Sequence, residues 1–372
     1  MMIEPIEIFL VCPPGLEPVL AEEAQACGFP SVRAQADGVT IAGGWAEVQR
    51  ANLVLRGASR VLARIARFGA AHLAQLDKRA RKLDWASVLR PDVAVKVEAS
   101  CKGSRIYHAG AAAERVANAI TDQIGAPIAE DAPVRLLVRV EKNFCTISVD
   151  TSGAPLHRRG FKEAVARAPL RETLASLFLR AGGYDGCEPV LDPMCGSGTF
   201  VIEAAEIAAG LHPGRGRAFA FERLAGFDAE AWSDLKARTG RNGGAHDLTF
   251  HGSDRDAGAV RMAAQNAARA GVAAACRFEA RAVTDLARPD GPPGLVMVNP
   301  PYGERVSNRG ALVGVHRTLG QVLRERFAGW RVGLITSEAA LARATGLPFE
   351  APGPIVDHGG IKIRLHRTEA PL

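Results

Sequence analysis

The stretch that most restricts how this chain can fold is Pro189-Val190-Leu191-Asp192-Pro193-Met194-Cys195-Gly196-Ser197-Gly198-Thr199-Phe200. It reads as an apolar strand ending in an acid, a turn holding two glycines, and a helix whose apolar stripe is Val201, Ala204, Ala205, Ala208 and Leu211. Glycines in such a turn let the backbone approach a ligand and leave N–H groups at the positive end of the helix. A phosphate loop would need a Lys-Ser/Thr pair after the second glycine, where this chain has Thr199-Phe200. A dinucleotide site prefers a third glycine and an acid about twenty residues onward. The next strand-end acid here is Asp254, after Leu248-Thr249-Phe250-His251-Gly252-Ser253. The pattern suits a zwitterion instead, with Asp192 toward its ammonium and the Met194–Thr199 backbone toward its carboxylate. Asp254 or Asp256 could accept from ribose hydroxyls, although Asp256 also fits a helix cap before Ala257. S-adenosylmethionine carries all three groups.

A second stretch, Gly294-Leu295-Val296-Met297-Val298, has the length and composition of a buried parallel strand ending at a ligand crevice. It continues as Asn299-Pro300-Pro301-Tyr302-Gly303-Glu304-Arg305. The Asn299 amide oxygen and the Pro300 carbonyl can accept both hydrogens of one planar amino group, because two prolines fix the backbone and withhold competing N–H donors. Tyr302 offers a flat face for a base. A strand-ending Asn-Pro turn is the plain alternative for the tetrapeptide alone, and a surface ion pair is the alternative for Glu304 and Arg305.

At 372 residues, two or three domains are expected. With 47% apolar and 23% charged residues the chain can bury a core, which excludes a disordered protein. A net charge of +6 and a pI near 9.1 favour an acidic partner such as nucleic acid. The seven cysteines lack the short paired spacing of zinc sites, and their odd number argues against a disulfide framework. Reduced cytoplasmic thiols and no metal are expected. The N-terminal residues carry Glu4 and Glu7 rather than a basic segment, and no apolar run reaches spanning length, so neither export nor a membrane is expected.

Earlier in the chain, Ile6–Val11 reads as a strand, Leu16–Cys27 as a helix, Val39–Ile41 as a short strand and Glu47–Arg64 as another amphipathic helix. Basic residues dominate from Arg56 to Arg105, as a phosphate-binding surface requires, although Lys78-Arg79-Ala80-Arg81-Lys82 also fits a solvated helix face. Strands are expected at Val93–Ala99, Val134–Val140 and Phe144–Val149, with a helix over Ala111–Ile124, giving an α+β region. Leu156-His157-Arg158-Arg159-Gly160-Phe161-Lys162 marks a basic boundary between domains.

The series Asp-Pro-Met-Cys-Gly-Ser-Gly-Thr (192–199), Gly-Ser-Asp-Arg-Asp (252–256) and Asn-Pro-Pro-Tyr-Gly-Glu-Arg (299–305) resembles the THUMP-domain class I RNA methyltransferases, in particular the RlmL-type 23S ribosomal RNA guanine-N2 enzymes. The junction at 156–161 and the stretch from Leu319-Gly320 to Gly329-Trp330 fit the same family. The resemblance implies a ferredoxin-like segment at 1–45, a THUMP RNA-binding domain at 46–155, a linker at 156–168 and a Rossmann-like methyltransferase domain at 169–372, an α/β fold behind an α+β region. It also implies catalytic roles for Asn299, Pro300 and Tyr302. S-adenosylmethionine contacts would come from Asp192, Met194, Cys195, Gly196, Ser197, Gly198, Thr199 and Asp254, and RNA contacts from Pro301, Glu304, Arg305, Arg158 and Arg159. After the strand Cys276–Ala280 the family usually has an acid for the adenine amine. This chain has Ala282 there, with Asp285 as a substitute three residues on. Bifunctional members carry a second methyltransferase module, which this sequence lacks, so only the first activity is expected. The competing expectations are a tRNA guanine or adenine-N6 substrate, or a non-catalytic RNA-binding protein.

Overall fold

Fourteen strands assemble into two seven-stranded sheets among the residues that the computed structural model describes, 6–161, 170–239, 248–301 and 309–372. The chain divides into two compact units that interleave in sequence. One takes the chain up to Cys12, Leu20–Leu156 and Arg217–Arg238, and the other takes Pro13–Val19, His157–Gly216 and Thr239–Leu372.

The first sheet contains β1 (Ile6–Val11), β2 (Arg33–Gln35), β3 (Gly38–Gly43), β4 (Arg60–Gly69), β5 (Val95–Lys102), β6 (Val134–Glu141) and β7 (Phe144–Asp150), in the order β2-β3-β1-β4-β7-β6-β5. Helices α1 (Glu17–Ala26), α2 (Trp45–Val54), α3 (Leu73–Ala80) and α4 (Ala109–Ile124) intervene in the chain. The helix expected over 47–64 is a correction: α2 stops at Val54 and the chain re-enters the sheet as β4. Two things end it. The buried Glu23 carboxylate accepts from the backbone N–H of Arg56 at 2.6 Å and of Gly57 at 2.9 Å, fixing a turn. Beyond it, buried Val61 and Ile65 are β-branched and suit a pleated surface. Because β4 pairs with β1 over Arg60–Arg64 and with β7 over Leu62–Gly69, one ten-residue strand fuses the early segment and the α+β region into a single sheet.

Arg217–Arg238 belongs with this first sheet although its neighbours in sequence do not. Phe221 N–H donates to the Thr151 carbonyl at 3.0 Å and Ala225 N–H to Val88 at 2.9 Å. Phe219, Phe221 and Trp232 form an aromatic cluster, with Trp232 edge-on to Phe221 at 5.0 Å between centroids.

The second sheet contains β8 (Val190–Asp192), β9 (Phe250–Asp254), β10 (Cys276–Ala280), β11 (Leu295–Val298), β12 (Arg331–Thr336), β13 (Val356–His358) and β14 (Ile361–Arg367). Its helices are α5 (Glu172–Ala181), α6 (Thr199–Ala208), α8 (Ala257–Ala270), α9 (Arg309–Arg326) and α10 (Ala339–Ala344), with α7 (Ala229–Thr239) lying on the chain between α6 and β9. The order is β10-β9-β8-β11-β12-β14-β13, parallel except for β14, which is antiparallel to β12 and β13. Leu191, Val296, Val298, Leu319, Leu323, Phe327 and Trp330 share one buried cluster between β8, β11 and α9. Each such fully buried large apolar side chain contributes about 1.5–3 kcal/mol. Succession along the chain reverses between β8 and β11, and ligands of open α/β sheets bind outside the carboxyl ends of strands at such a switch point. All seven cysteines are unbridged, and no helix among the described residues is long and apolar enough to cross a membrane.

Candidate active site

The switch point places two expected site residues on adjacent strand ends. Val296 of β11 is level with Leu191 of β8, so Asp192 and Asn299 both leave the sheet at its carboxyl edge. On the other side of β8, Asp192 is level with Gly252, and Asp254 ends β9 two residues later. Three parallel strands thus deliver Asn299, Asp192 and Asp254 to one edge.

The 192–199 turn is held from within. Met194 N–H donates to Asp192 Oδ1 at 3.0 Å, Cys195 N–H to the Ser253 carbonyl at 2.9 Å and Gly198 N–H to the Cys195 carbonyl at 2.8 Å. Gly196 N–H donates to Asp254 Oδ2 at 3.0 Å, while the other Asp254 oxygen accepts from Asp256 N–H at 3.0 Å. The turn therefore offers fewer uncommitted donors than its sequence suggests, and Asp254 is part of what holds it. Ser197 N–H has no partner among the described residues. Asp254 retains accepting capacity, since each carboxylate oxygen has two lone pairs. Asp256 is the cap of α8, accepting from Gly258 N–H at 2.7 Å.

The two turn glycines have different duties. Gly196 lies at φ +52° and a Cβ there would meet nothing within 4 Å, so the turn faces open space at this point. Gly198, at φ +86°, would press a Cβ to 3.0 Å from Ala263 and 3.2 Å from Phe278, so its missing side chain lets α6 settle against α8 and β10. Thr199 begins α6 and is buried. Cys195 is also buried, which pushes its thiol up and makes it a packing residue rather than a nucleophile.

Asp192 is 3% exposed. Burial pushes its carboxyl up to about 8, the Met194 N–H opposes that shift and the charge of Asp254 adds to it. Such a group is ready to ionise against an incoming cation. Asn299 is half-buried, yet its Oδ1 is fully buried and has no hydrogen-bond partner among the described residues. Pro300 is buried and Pro301 exposed, while Tyr302, Glu304 and Arg305 lie outside the described residues. Asp285 is exposed in the single turn Val283–Asp285, and its N–H donates to Ala282 at 3.0 Å.

Arg159 is a correction. Expected as an RNA contact, it is 2% exposed, and its Nε donates at 3.1 Å to Glu203 of α6. A guanidinium whose buried partner is a buried carboxylate serves the fold; Arg158 beside it is exposed. The basic run from Arg56 to Arg105 is also partly neutralised. Arg56 is buried, and Arg60, Arg64, Arg81, Arg90 and Lys96 pair with Asp150, Glu7, Asp77 and Asp122, Asp92, and Glu98 and Glu130. Arg67, Lys78, Arg79, Lys102 and Arg105 have no carboxylate partner among the described residues. A groove of about 850 Å³ on the first sheet is lined by Arg64, Arg67, Arg139 and Lys142 against Glu7, Glu98 and Glu141. It is nearly neutral and carries none of the strand-end groups.

One residue escaped the sequence reading. Asn266, fully buried on α8, donates through Nδ2 to the Ser197 carbonyl at 3.1 Å. Its signal was a lone amide on the stripe Ala259, Ala263, Ala267, Ala270.

A parallel sheet with one antiparallel strand inserted beside its edge, and an acid-ended glycine turn at its switch point, is the architecture of the S-adenosylmethionine-dependent methyltransferases. Residues 159–349 match the family model described as RMKL-like, methyltransferase domain, residues 7–62 the RlmL ferredoxin-like domain and residues 70–150 the THUMP domain. The chain is 37% identical over 361 residues to the ribosomal RNA large subunit methyltransferase K/L of Syntrophotalea carbinolica, covering 92% of this chain and 51% of the relative. The chain spans about half the length of the K/L relatives it matches. It is 31% identical to a Synechocystis sp. protein named "Putative RNA methyltransferase slr0064", covering 95% of this chain and 94% of that protein. The crystal structure of a predicted N6-adenine-specific DNA methylase from Listeria monocytogenes superposes with a TM-score of 0.88 at 27% identity, covering 98% of this chain and 96% of that one. The chain belongs to the RMKL-like methyltransferase family, with S-adenosylmethionine as its cofactor.

Proposed function

We propose that this protein methylates the exocyclic N2 amine of a guanosine in 23S ribosomal RNA, in the cytoplasm. The observation that carries the amine assignment is the buried Oδ1 of Asn299, which has no hydrogen-bond partner among the described residues. A buried acceptor left without a donor costs about 1–3 kcal/mol, and a substrate N–H would remove that cost. The support for ribosomal RNA is the name carried by the K/L relatives together with the THUMP region.

A guanine amine is a poor nucleophile because its lone pair is delocalised into the ring. With Asn299 Oδ1 and the Pro300 carbonyl each accepting one N–H, the nitrogen is drawn toward tetrahedral geometry and its lone pair is aimed across the strand ends. Tyr302 stacks the base once it has been splayed out of its helix, and Pro301, Glu304 and Arg305 line its approach. S-adenosylmethionine supplies an electrophilic methyl on a sulfonium. Gly196, with open space where a side chain would stand, fits close approach of such a ligand, and the buried Asp192 fits its ammonium. Ser197 N–H is the turn donor left for its carboxylate, Asp254 accepts from the ribose, and Met194, Cys195, Gly198 and Thr199 shape the turn around them. In this reading Asp285 substitutes for the acid that meets the adenine amine, and Arg158 contacts RNA beside the junction.

The test is mass-spectrometric analysis of ribosomal RNA and tRNA after incubation with purified protein and labelled donor. Labelled N2-methylguanosine in 23S RNA is expected. The Listeria protein's description favours a second reading, in which the same clamp grips an adenine amine. N6-methyladenosine as the sole product would replace the guanine assignment, and label confined to tRNA would replace the ribosomal one. A protein that binds donor and labels no RNA would overturn both.

A further inference from the structure

The junction 157–161 has a structural duty that its basic composition concealed. Besides the buried Arg159–Glu203 pair on α6, its last residue, Phe161, is gripped from two sides. Arg215 sits over the ring at 5.6 Å from the centroid, and Arg269 Nε donates to the Phe161 carbonyl at 2.8 Å. Arg215 itself ties the ends of α6 and α8 through Glu206 and the Ala270 carbonyl, the latter at 2.6 Å. The strap is therefore fixed to the two helices that flank the 192–199 turn.

From Arg269 a continuous path leads into that turn. Arg269 Nη2 donates to Asn266 Oδ1 at 2.6 Å, and Asn266 Nδ2 donates to the Ser197 carbonyl at 3.1 Å. A guanidinium has only donors, so it must face the amide oxygen. That leaves the amide nitrogen for the carbonyl, and the orientation of Asn266 follows from both contacts. Ser197 lies between Gly196 and Gly198, both at positive φ, where the backbone has the freedom to take other conformations. The Asn266 bond is a tertiary contact that selects one of them.

We infer that Asn266 is a positioning residue for the methyl-donor turn, oriented by Arg269, which moors it to the Phe161 carbonyl of the strap. The inference rests on the assignment of the 192–199 turn to the donor. Arg269 is exposed, so its removal spares the core, while Asn266 is buried and its variants risk the fold.

The full-length wild type, Arg269→Ala, Asn266→Ala and the double variant are titrated with S-adenosylhomocysteine by calorimetry and assayed with saturating RNA. Arg269→Ala is expected to weaken ligand binding and raise the donor KM about tenfold, the scale of a lost charge-assisted hydrogen bond. The melting temperature should stay within a few degrees, kcat within about threefold and the RNA KM within about twofold. The double variant should bind no worse than Asn266→Ala, because the two act in series. If Asn266→Ala does not fold, Arg269→Ala decides alone. Binding within twofold of wild type for Arg269→Ala, or single effects that multiply in the double variant, would overturn the inference. Those results, with wild-type binding abolished by Gly196→Val, sink the positioning role and leave the donor assignment standing. A wild type that fails to bind S-adenosylhomocysteine sinks the assignment and the inference together.

Discussion

The two sheets treat their polar groups in opposite ways. In the first, charged side chains are consumed locally: Asp150, 1% exposed, takes Arg60 and Arg135, and the exposed guanidinium of Arg81 is shared between Asp77 and Asp122. In the second, the carboxyl edge keeps groups whose needs the described residues do not meet, namely a buried amide oxygen at Asn299 and a buried acid at Asp192 that find no donor and no cation, respectively, among them. Satisfied polar groups hold a fold together, whereas unsatisfied ones at a strand edge are held ready for a ligand.

The contrast can be broken most forcefully at Arg159, which sits in the second unit but behaves like the charges of the first. Removing one member of a buried pair costs about 3–5 kcal/mol because the other is left charged and buried. Arg159→Ala should therefore lower the urea midpoint by that equivalent, and Arg158→Ala should leave it nearly unchanged. Similar midpoints for the two variants would return Arg159 to the RNA-contacting surface.

Asp192 sharpens the contrast through pH. Its folded carboxyl lies above its unfolded value, so the free protein binds more protons folded than unfolded between about 4 and about 8. This contribution to stability is fully present below that window and is lost as pH rises through it. On the proposed assignment of Asp192, donor binding runs the other way, because the ammonium requires the carboxylate. With a group near 8, affinity should rise close to tenfold from pH 6 to pH 7, with about one proton released, and Asp192→Asn should flatten the slope. Calorimetry in buffers of different ionisation enthalpy reads the proton count directly, and a count of zero contradicts the assignment.

The smallest effect concerns RNA. Arg79 has no carboxylate partner among the described residues, and Arg81, two positions on, has two. Arg79→Ala should reduce the slope of log affinity against log salt by about 1, and Arg81→Ala should leave it in place. Equal slopes for both variants would remove the distinction between spent and available charge.

Much of this was legible in the sequence. The turn at 192–199, the strand before Asn299 and the helix start capped by Asp256 announce themselves by composition and period, because their constraints are local. Arg159 misled because a basic run reads the same whether its partners are phosphates or a carboxylate 44 residues away. The stretch 47–64 misled because alternating Arg and apolar residues satisfy helical and extended periods alike over so short a span. Nothing local could place Arg217–Arg238 with the first sheet, since its partners Val88 and Thr151 are far away in sequence. Asn266 was visible only as an amide on an alanine stripe, and its meaning depends on which carbonyl lies opposite.

The central claim is that Asn299 Oδ1 waits for a substrate amine, and single-turnover methyl transfer with saturating RNA and donor tests it most directly. Asn299→Ala should slow the step by about 10²–10³ through loss of one pre-organised acceptor, with donor affinity and melting temperature nearly unchanged. Asn299→Asp keeps the accepting oxygen and should retain part of the rate. Transfer by Asn299→Ala at near the wild-type rate would contradict the account.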